Sequence, residues 1–214
     1  MHNEILKDLR AAYDARAAER DGVVISPWKS EERERFVTEL KREGKTRLLE
    51  IGSGPGRDGK FFADHGFSVV CTDLSPEMVS LCRKKGLEAR VMDFMHLDFP
   101  KRGFDAVFAL NCLLHVPKKN FESVLETIHA LLRPSGLFYL GQYGGEDVEG
   151  PWPEDSYEPK RFFSFHTDEQ ILEKVENLFD LVHFRRIELE KPGPVHFQSM
   201  ILRARSEPAQ AMDG

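Results

Sequence analysis

Gly52, Gly54 and Gly56 occupy every second position in "LLEIGSGPGRDGK", with Glu50 ahead of them and Asp73 at the end of the next apolar run. Glycines spaced this way allow positive φ and let a ligand approach the backbone with no Cβ in between. A carboxylate at the tip of the following strand accepts hydrogen bonds from a pair of ribose hydroxyls. Three ligands can be set against that spacing. A P-loop needs a lysine followed by Ser or Thr to meet phosphate and magnesium, and here Phe61 follows Lys60. A dinucleotide fingerprint needs a third glycine where the helix packs beside the pyrophosphate, and Arg57 stands in that place. A ribose without a pyrophosphate fits best. The competing reading is a plain turn in which Asp73 caps a helix beginning near Pro76.

The elements that must position these residues alternate. Strands are expected at Arg47–Ile51, Ser68–Thr72, Ala89–Met92, Phe104–Leu110 and Gly136–Gly141, with helices at Gly59–His65, Pro76–Lys85 and Asn120–Leu132. Alternation of this kind is the signature of βαβ units and a largely parallel sheet. Ahead of it, Ile5, Leu6, Leu9, Ala12 and Tyr13 make one apolar helical face, and a second helix follows Pro27 with Ser30 as its cap and Gly44 as its stop. Behind it come a loop rich in Gly, Pro and acids, "YGGEDVEGPWPEDSYEPK", one more helix, and two apolar runs joined by "EKPGPV" that suit an antiparallel hairpin.

Composition narrows the partners. The 214 residues are 41% hydrophobic and 31% charged with a net charge of −6, so a core is affordable and no basic footprint invites nucleic acid or an anionic membrane. Cys71, Cys82 and Cys112 sit in apolar segments without a C-x-x-C pair. They read as buried free thiols in a reducing cytoplasm, with no metal site. The charged N-terminus lacks a signal-peptide core. A small-molecule partner and a monomer or homodimer are expected.

"LLEIGSGPG", "VVCTDLSPEMV", "ARVMDF" and "FDAVFALNCLLHVP" resemble successive motifs of the class I S-adenosylmethionine-dependent methyltransferases, over about Arg47 to Leu140. The resemblance implies an α/β, Rossmann-like, doubly wound seven-stranded and mostly parallel sheet whose last strand is antiparallel. It divides the chain into an N-terminal helical cap over 1–46, an S-adenosylmethionine-binding domain over 47–205 and a mobile tail over 206–214. By resemblance, Gly52 and Gly54 line the methionine portion of the cofactor, Gly56 belongs to the same cofactor-binding motif, Glu50 fixes that loop or its amino group, and Arg57 pairs with its carboxylate. Asp73 holds the ribose, Leu74 flanks the adenine, Asp93 accepts from its exocyclic amine, and the Phe94 N–H meets a ring nitrogen. Asn111 approaches the methionine amine. S-adenosylhomocysteine is the product.

Methyl transfer from a sulfonium is an in-line displacement, so alignment and water exclusion are the main tasks. A base is required only where the acceptor carries a proton. His115 in "NCLLHVP" and Tyr143 in "GQYGG" are the catalytic candidates, Tyr13 and Trp28 the lid, and Phe163 and His166 of "RFFSFH" the acceptor wall. Asn111 is followed by Cys112, Leu113 and Leu114, not the Pro-Pro-aromatic run common among enzymes of this family that methylate nucleic-acid bases, which argues for a small metabolite methylated on O, N or S. Two other readings stay open: a nicotinamide-dependent oxidoreductase on a Rossmann-like fold, and a non-catalytic cofactor-binding regulator. Asp73→Ala is expected to weaken cofactor binding by about 1.5–3 kcal/mol, the worth of charge-assisted hydrogen bonds, in a chain that still folds. Titration calorimetry on the variant checks it.

Overall fold

In the computed structural model, residues 2–190 and 193–206 are described; all but one residue of the tail expected at 206–214 lie outside them. The chain opens with α1 (His2–Ala15), α2 (Ala17–Asp21) and α3 (Pro27–Arg42), then alternates through β1 (Arg47–Ile51), α4 (Arg57–Asp64), β2 (Ser68–Asp73), α5 (Pro76–Lys84), β3 (Glu88–Val91) and β4 (Phe104–Leu110). After a short 3-10 turn at Leu113–His115 come α6 (Lys118–Leu131), β5 (Leu132–Gly144), β6 (Val148–Pro151), β7 (Phe162–Phe165), α7 (Asp168–Glu176), β8 (Phe179–Ile187) and β9 (His196–Ala204).

Seven of the strands form one sheet in the order β3-β2-β1-β4-β5-β9-β8, and β6 pairs with β7 in a separate hairpin. The pairs from β3 to β5 are parallel, while β9 runs antiparallel to both β5 and β8. The expected sheet and its antiparallel last strand are therefore present. β4 is central and buried along nearly its whole length, which is why "FDAVFAL" lacks polar alternation. α6 and α7 cover one face; α3, α4 and α5 cover the other.

Two local expectations change. The helix expected to be capped by Ser30 begins at Pro27, with Ser26 as the N-cap residue, because the fixed φ of proline suits a first helical turn. The loop after β5 is not structureless: Val148–Pro151 pairs with Phe162–Phe165. The short run "VEGP" shows no alternation, and its partner lies too far along the chain for a turn signal to join them. Among the described residues no helix is long and apolar enough to cross a membrane.

α3 is anchored by Phe36, fully buried, whose ring lies 6.2 Å from Phe62, 5.8 Å from Phe108 and 5.6 Å from Tyr139. Phe36→Ala is expected to cost about 3–5 kcal/mol, the transfer and cavity terms of a large buried ring, measured as a shift of the urea unfolding midpoint at unchanged slope.

Candidate active site

Strand order reverses between β1 and β4, and a crevice opens at their carboxyl ends, the general place for a ligand on an open α/β sheet. It has a large chamber of about 590 Å³ and a small one of about 70 Å³. Gly52, Gly54, Asn111, His115, Tyr13 and Arg20 border both.

The glycines differ in why they are glycines. A Cβ on Gly52 would lie 2.3 Å from the Cβ of Cys112, so its absence lets the β4–α6 turn cross beneath β1. A Cβ on Gly54, at φ +53°, would meet nothing within 4 Å and would stand in the crevice itself. Gly56 faces away: a Cβ there would strike Cys82 Sγ at 2.8 Å and Leu87 at 2.9 Å. It starts α4 from the left-handed region, and its role is packing.

Asp73 ends β2 on the small chamber, where its carboxylate accepts from the Gly54 N–H at 2.8 Å and the Ser75 N–H at 2.9 Å. Burial raises its pKa. The helix cap is Ser75, whose hydroxyl accepts from the Met78 N–H; Asp73 is left to tie the glycine loop to the strand tip. Leu74, Met92 and Phe94 complete the small chamber, and Phe94 also packs in the core. Asn111 turns at φ 54°, and its N–H donates to the Gly141 carbonyl at 2.7 Å.

Other sequence-chosen residues are not brought to the crevice. The Glu50 side chain is buried behind β1, where Cys71 Sγ donates to it at 3.3 Å and burial holds its pKa well above the carboxylate range. Asp93 closes an Asx turn instead, accepting from the Met95 and His96 N–H groups at 2.7 and 2.9 Å. Trp28 packs on Phe197, ring to ring at 4.6 Å. His166 is buried against Phe121, with both ring nitrogens unpartnered and its pKa pushed down to about 4 by burial. Arg57 reaches the crevice wall, but it donates to the backbone carbonyls of Arg20 and Val23 and so braces the N-terminal segment.

That segment covers the site with buried Leu9 and Ala12 and with a set of polar contacts. The Ser75 hydroxyl donates to Asp14, Lys85 pairs with Asp21 at 2.6 Å, and the Tyr13 hydroxyl lies 2.6 Å from His115 Nε2. His115 is buried, and its Nδ1 lies 2.6 Å from the Phe162 carbonyl oxygen. A carbonyl only accepts, so the ring proton is on Nδ1 and the Nε2 lone pair accepts from Tyr13. Burial pushes the His115 pKa down to about 3. Arg161 donates to the same Tyr13 oxygen at 3.3 Å and is itself held by Asp155 at 2.7 and 2.9 Å. Tyr143 and Phe163 border the large chamber. Arg20, Lys29, Trp152 and Arg161 border it as well. Sequence reasoning missed Arg20, Lys29 and Trp152 as site residues, since nothing in their local pattern separates them from surface residues.

Residues 48–136 match the model of a family described as a methyltransferase domain. Those residues form a methyltransferase domain similar to those of the class I, S-adenosylmethionine-dependent enzymes. A ubiquinone biosynthesis O-methyltransferase of Xanthomonas oryzae pv. oryzae is 34% identical over 101 residues, 44% of this chain and 41% of that one. A glycine/sarcosine N-methyltransferase of Halorhodospira halochloris is 32% identical over 116 residues, 50% of this chain and 43% of that one. The chain thus matches less than half the length of these curated relatives. In fold, the methyltransferase domain and its flanking elements resemble the 1,6-didemethyltoxoflavin-N1-methyltransferase of Burkholderia thailandensis, solved with S-adenosylhomocysteine, at a TM-score of 0.70 and 24% identity over 92% of this chain and 88% of that one.

Because His115 is neutral in the fold and titrates near 6.5 when exposed, its burial favours folding above pH 6.5, a contribution lost progressively as pH falls toward 3. Imidazole ¹⁵N resonances of His115 are expected to keep the neutral Nδ1–H pattern throughout the range above its folded pKa. A His115 already protonated at its ordinary value would contradict the assignment.

Proposed function

We propose that this protein is an S-adenosylmethionine-dependent methyltransferase acting on O, N or S of a small-molecule acceptor. The observation that carries the reading is Gly54: a left-handed glycine with open space where its Cβ would be, joined by its N–H to the carboxylate at the tip of β2. Bordering both chambers, that bare position leaves room for a ligand to lie on the backbone. The group fits the residues present. Asp73 supplies the ribose acceptor, Leu74 and Phe94 the walls for an adenine, and Arg20, whose buried Nε has no partner, a cation for a carboxylate. When bound, the cofactor supplies an electrophilic methyl group on a sulfonium.

The protein's own residues then align the acceptor, exclude water and manage a proton. Water exclusion falls to the N-terminal helices, whose polar latches can open and close. For a hydroxyl acceptor, the proton passes to the Tyr13 oxygen as the phenol gives its own to His115 Nε2. Arg161 steadies the Tyr13 oxygen, and the Phe162 carbonyl holds the imidazole in the tautomer that can accept. His115, its pKa pushed down to about 3 by burial, is a weak base reached through Tyr13 and accepts the proton as the acceptor oxygen turns acidic on bonding to the methyl carbon. The free, buried thiols support a reducing, cytoplasmic setting.

Incubation with isotopically labelled S-adenosylmethionine and a metabolite library, with mass detection of products gaining one methyl group, tests the activity. Gly54→Val is expected to abolish S-adenosylhomocysteine binding by calorimetry. Tyr13→Phe is expected to bind it normally yet lose roughly 10²–10⁴ in rate on a hydroxyl acceptor, the usual worth of a positioned base.

A further inference from the structure

The chain has a net charge of −6, yet Arg20, Lys29, Arg57 and Arg161 all border the large chamber. The acids on the same wall are mostly engaged. Asp58 is paired with Arg33 at 2.8 Å, Asp155 is clamped to Arg161, and Glu154 stands exposed at the rim. Arg20, Lys29 and Arg57 therefore have no carboxylate in ion-pair contact among the described residues. Arg57 is spent on backbone carbonyls, and Arg20 meets the Tyr157 hydroxyl at 3.1 Å. Among the described residues the Lys29 ammonium has ring contacts with Trp28 and Tyr143, 5.1 and 5.6 Å away, and no side-chain hydrogen bond. Burial, with Arg20 and Arg57 nearby, lowers the Lys29 pKa despite Asp58. An unanswered, partly desolvated cation of this kind is costly unless a ligand brings the counter-charge.

A second feature borders the same chamber. Trp152, Phe163 and Phe165 form a cluster with ring centroids 5.6, 5.8 and 6.2 Å apart, and Phe163 lies 4.8 Å from the His115 ring. Two of them come from the β6–β7 hairpin side and one from the loop between its strands, so the cluster is built by tertiary pairing. Two of these contacts are edge-to-face and the third is tilted, an arrangement that leaves π-faces and edges on which a further planar ring packs well.

We propose that the methyl acceptor is a planar aromatic anion, its ring packed on Trp152 and Phe163 and its charge answered by Lys29. The inference rests on the methyltransferase reading and narrows its substrate class. The cofactor brings a sulfonium and an ammonium against a single carboxylate, so loading it adds to the cationic excess of the chamber. Arg20 answers that carboxylate, and Lys29 remains for the acceptor. An acceptor anion then neutralises the site before transfer, and methylation consumes the sulfonium charge.

The test titrates 2-naphthoate, 4-nitrophenolate and 2-naphthamide into protein saturated with S-adenosylhomocysteine. Fluorescence is followed in a Trp28→Phe background, where Trp152 is the one remaining tryptophan. Both anions are expected to quench Trp152 and to bind about tenfold or more tighter than the neutral amide, as a charge-assisted contact requires. Naphthoate binding alone would identify a carboxylate as the anion, and nitrophenolate binding alone an ionised hydroxyl. Lys29→Met is expected to erase the preference for anions while S-adenosylhomocysteine affinity stays. Equal binding of amide and acid, a preference that survives Lys29→Met, or binding of no aromatic anion to the loaded protein would overturn the proposal and leave the cofactor reading standing. Failure of S-adenosylhomocysteine to bind would defeat both.

Discussion

The crossing of the β4–α6 turn under Gly52 is the constraint on which the rest of the site depends. With 2.3 Å between the Cβ of Cys112 and the place a Gly52 Cβ would take, no other residue type fits without moving one strand end away from the other. That closeness puts Asn111 and the glycine loop on one wall and carries His115, four residues on, into the middle of the crevice. Asn111 contributes by turning at positive φ, a conformation Asn tolerates better than most residues. The Gly54 N–H to Asp73 bond then locks the loop to the second strand.

Over this floor lies a cover held both by polar contacts and by apolar burial, with Leu9 and Ala12 of α1 buried and Leu6 packed on the core. Its polar contacts are a phenol on an imidazole, a hydroxyl on a carboxylate, a lysine on an aspartate and a guanidinium on two carbonyls. The exposed contacts among these contribute modestly to stability, beside the apolar burial of Leu9 and Ala12 and of Phe36 of α3 against the sheet. The same Tyr13 that latches the cover also completes the hydrogen-bonded path to His115. In the proposed function, closure and assembly of the proton path are one event.

The opposite side of the large chamber is built by the β6–β7 hairpin, which stands apart from the main sheet. It brings Phe163 and Phe165 to the crevice, while the Phe162 carbonyl sets the His115 tautomer. One short pairing thus shapes the chamber and decides which imidazole nitrogen is free to accept.

By itself the sequence determined the alternating α/β order, the antiparallel closing hairpin and the glycine–aspartate motif, because apolar periodicity and glycine spacing are local properties of the chain. It also marked Asp73, Gly54, Asn111 and His115, which lie at strand ends where such motifs point. Tertiary structure alone decided that Glu50 and His166 turn into the interior, that Asp93 closes a turn, and that Gly56 serves packing, since each outcome depends on which face a side chain takes and what meets it there. It alone paired Tyr13 with His115 across 102 positions and gathered Arg20, Lys29 and Trp152 around one crevice. Nothing in their local sequence separates a surface lysine from one left without a counter-charge; burial and the placement of every neighbouring carboxylate make that difference.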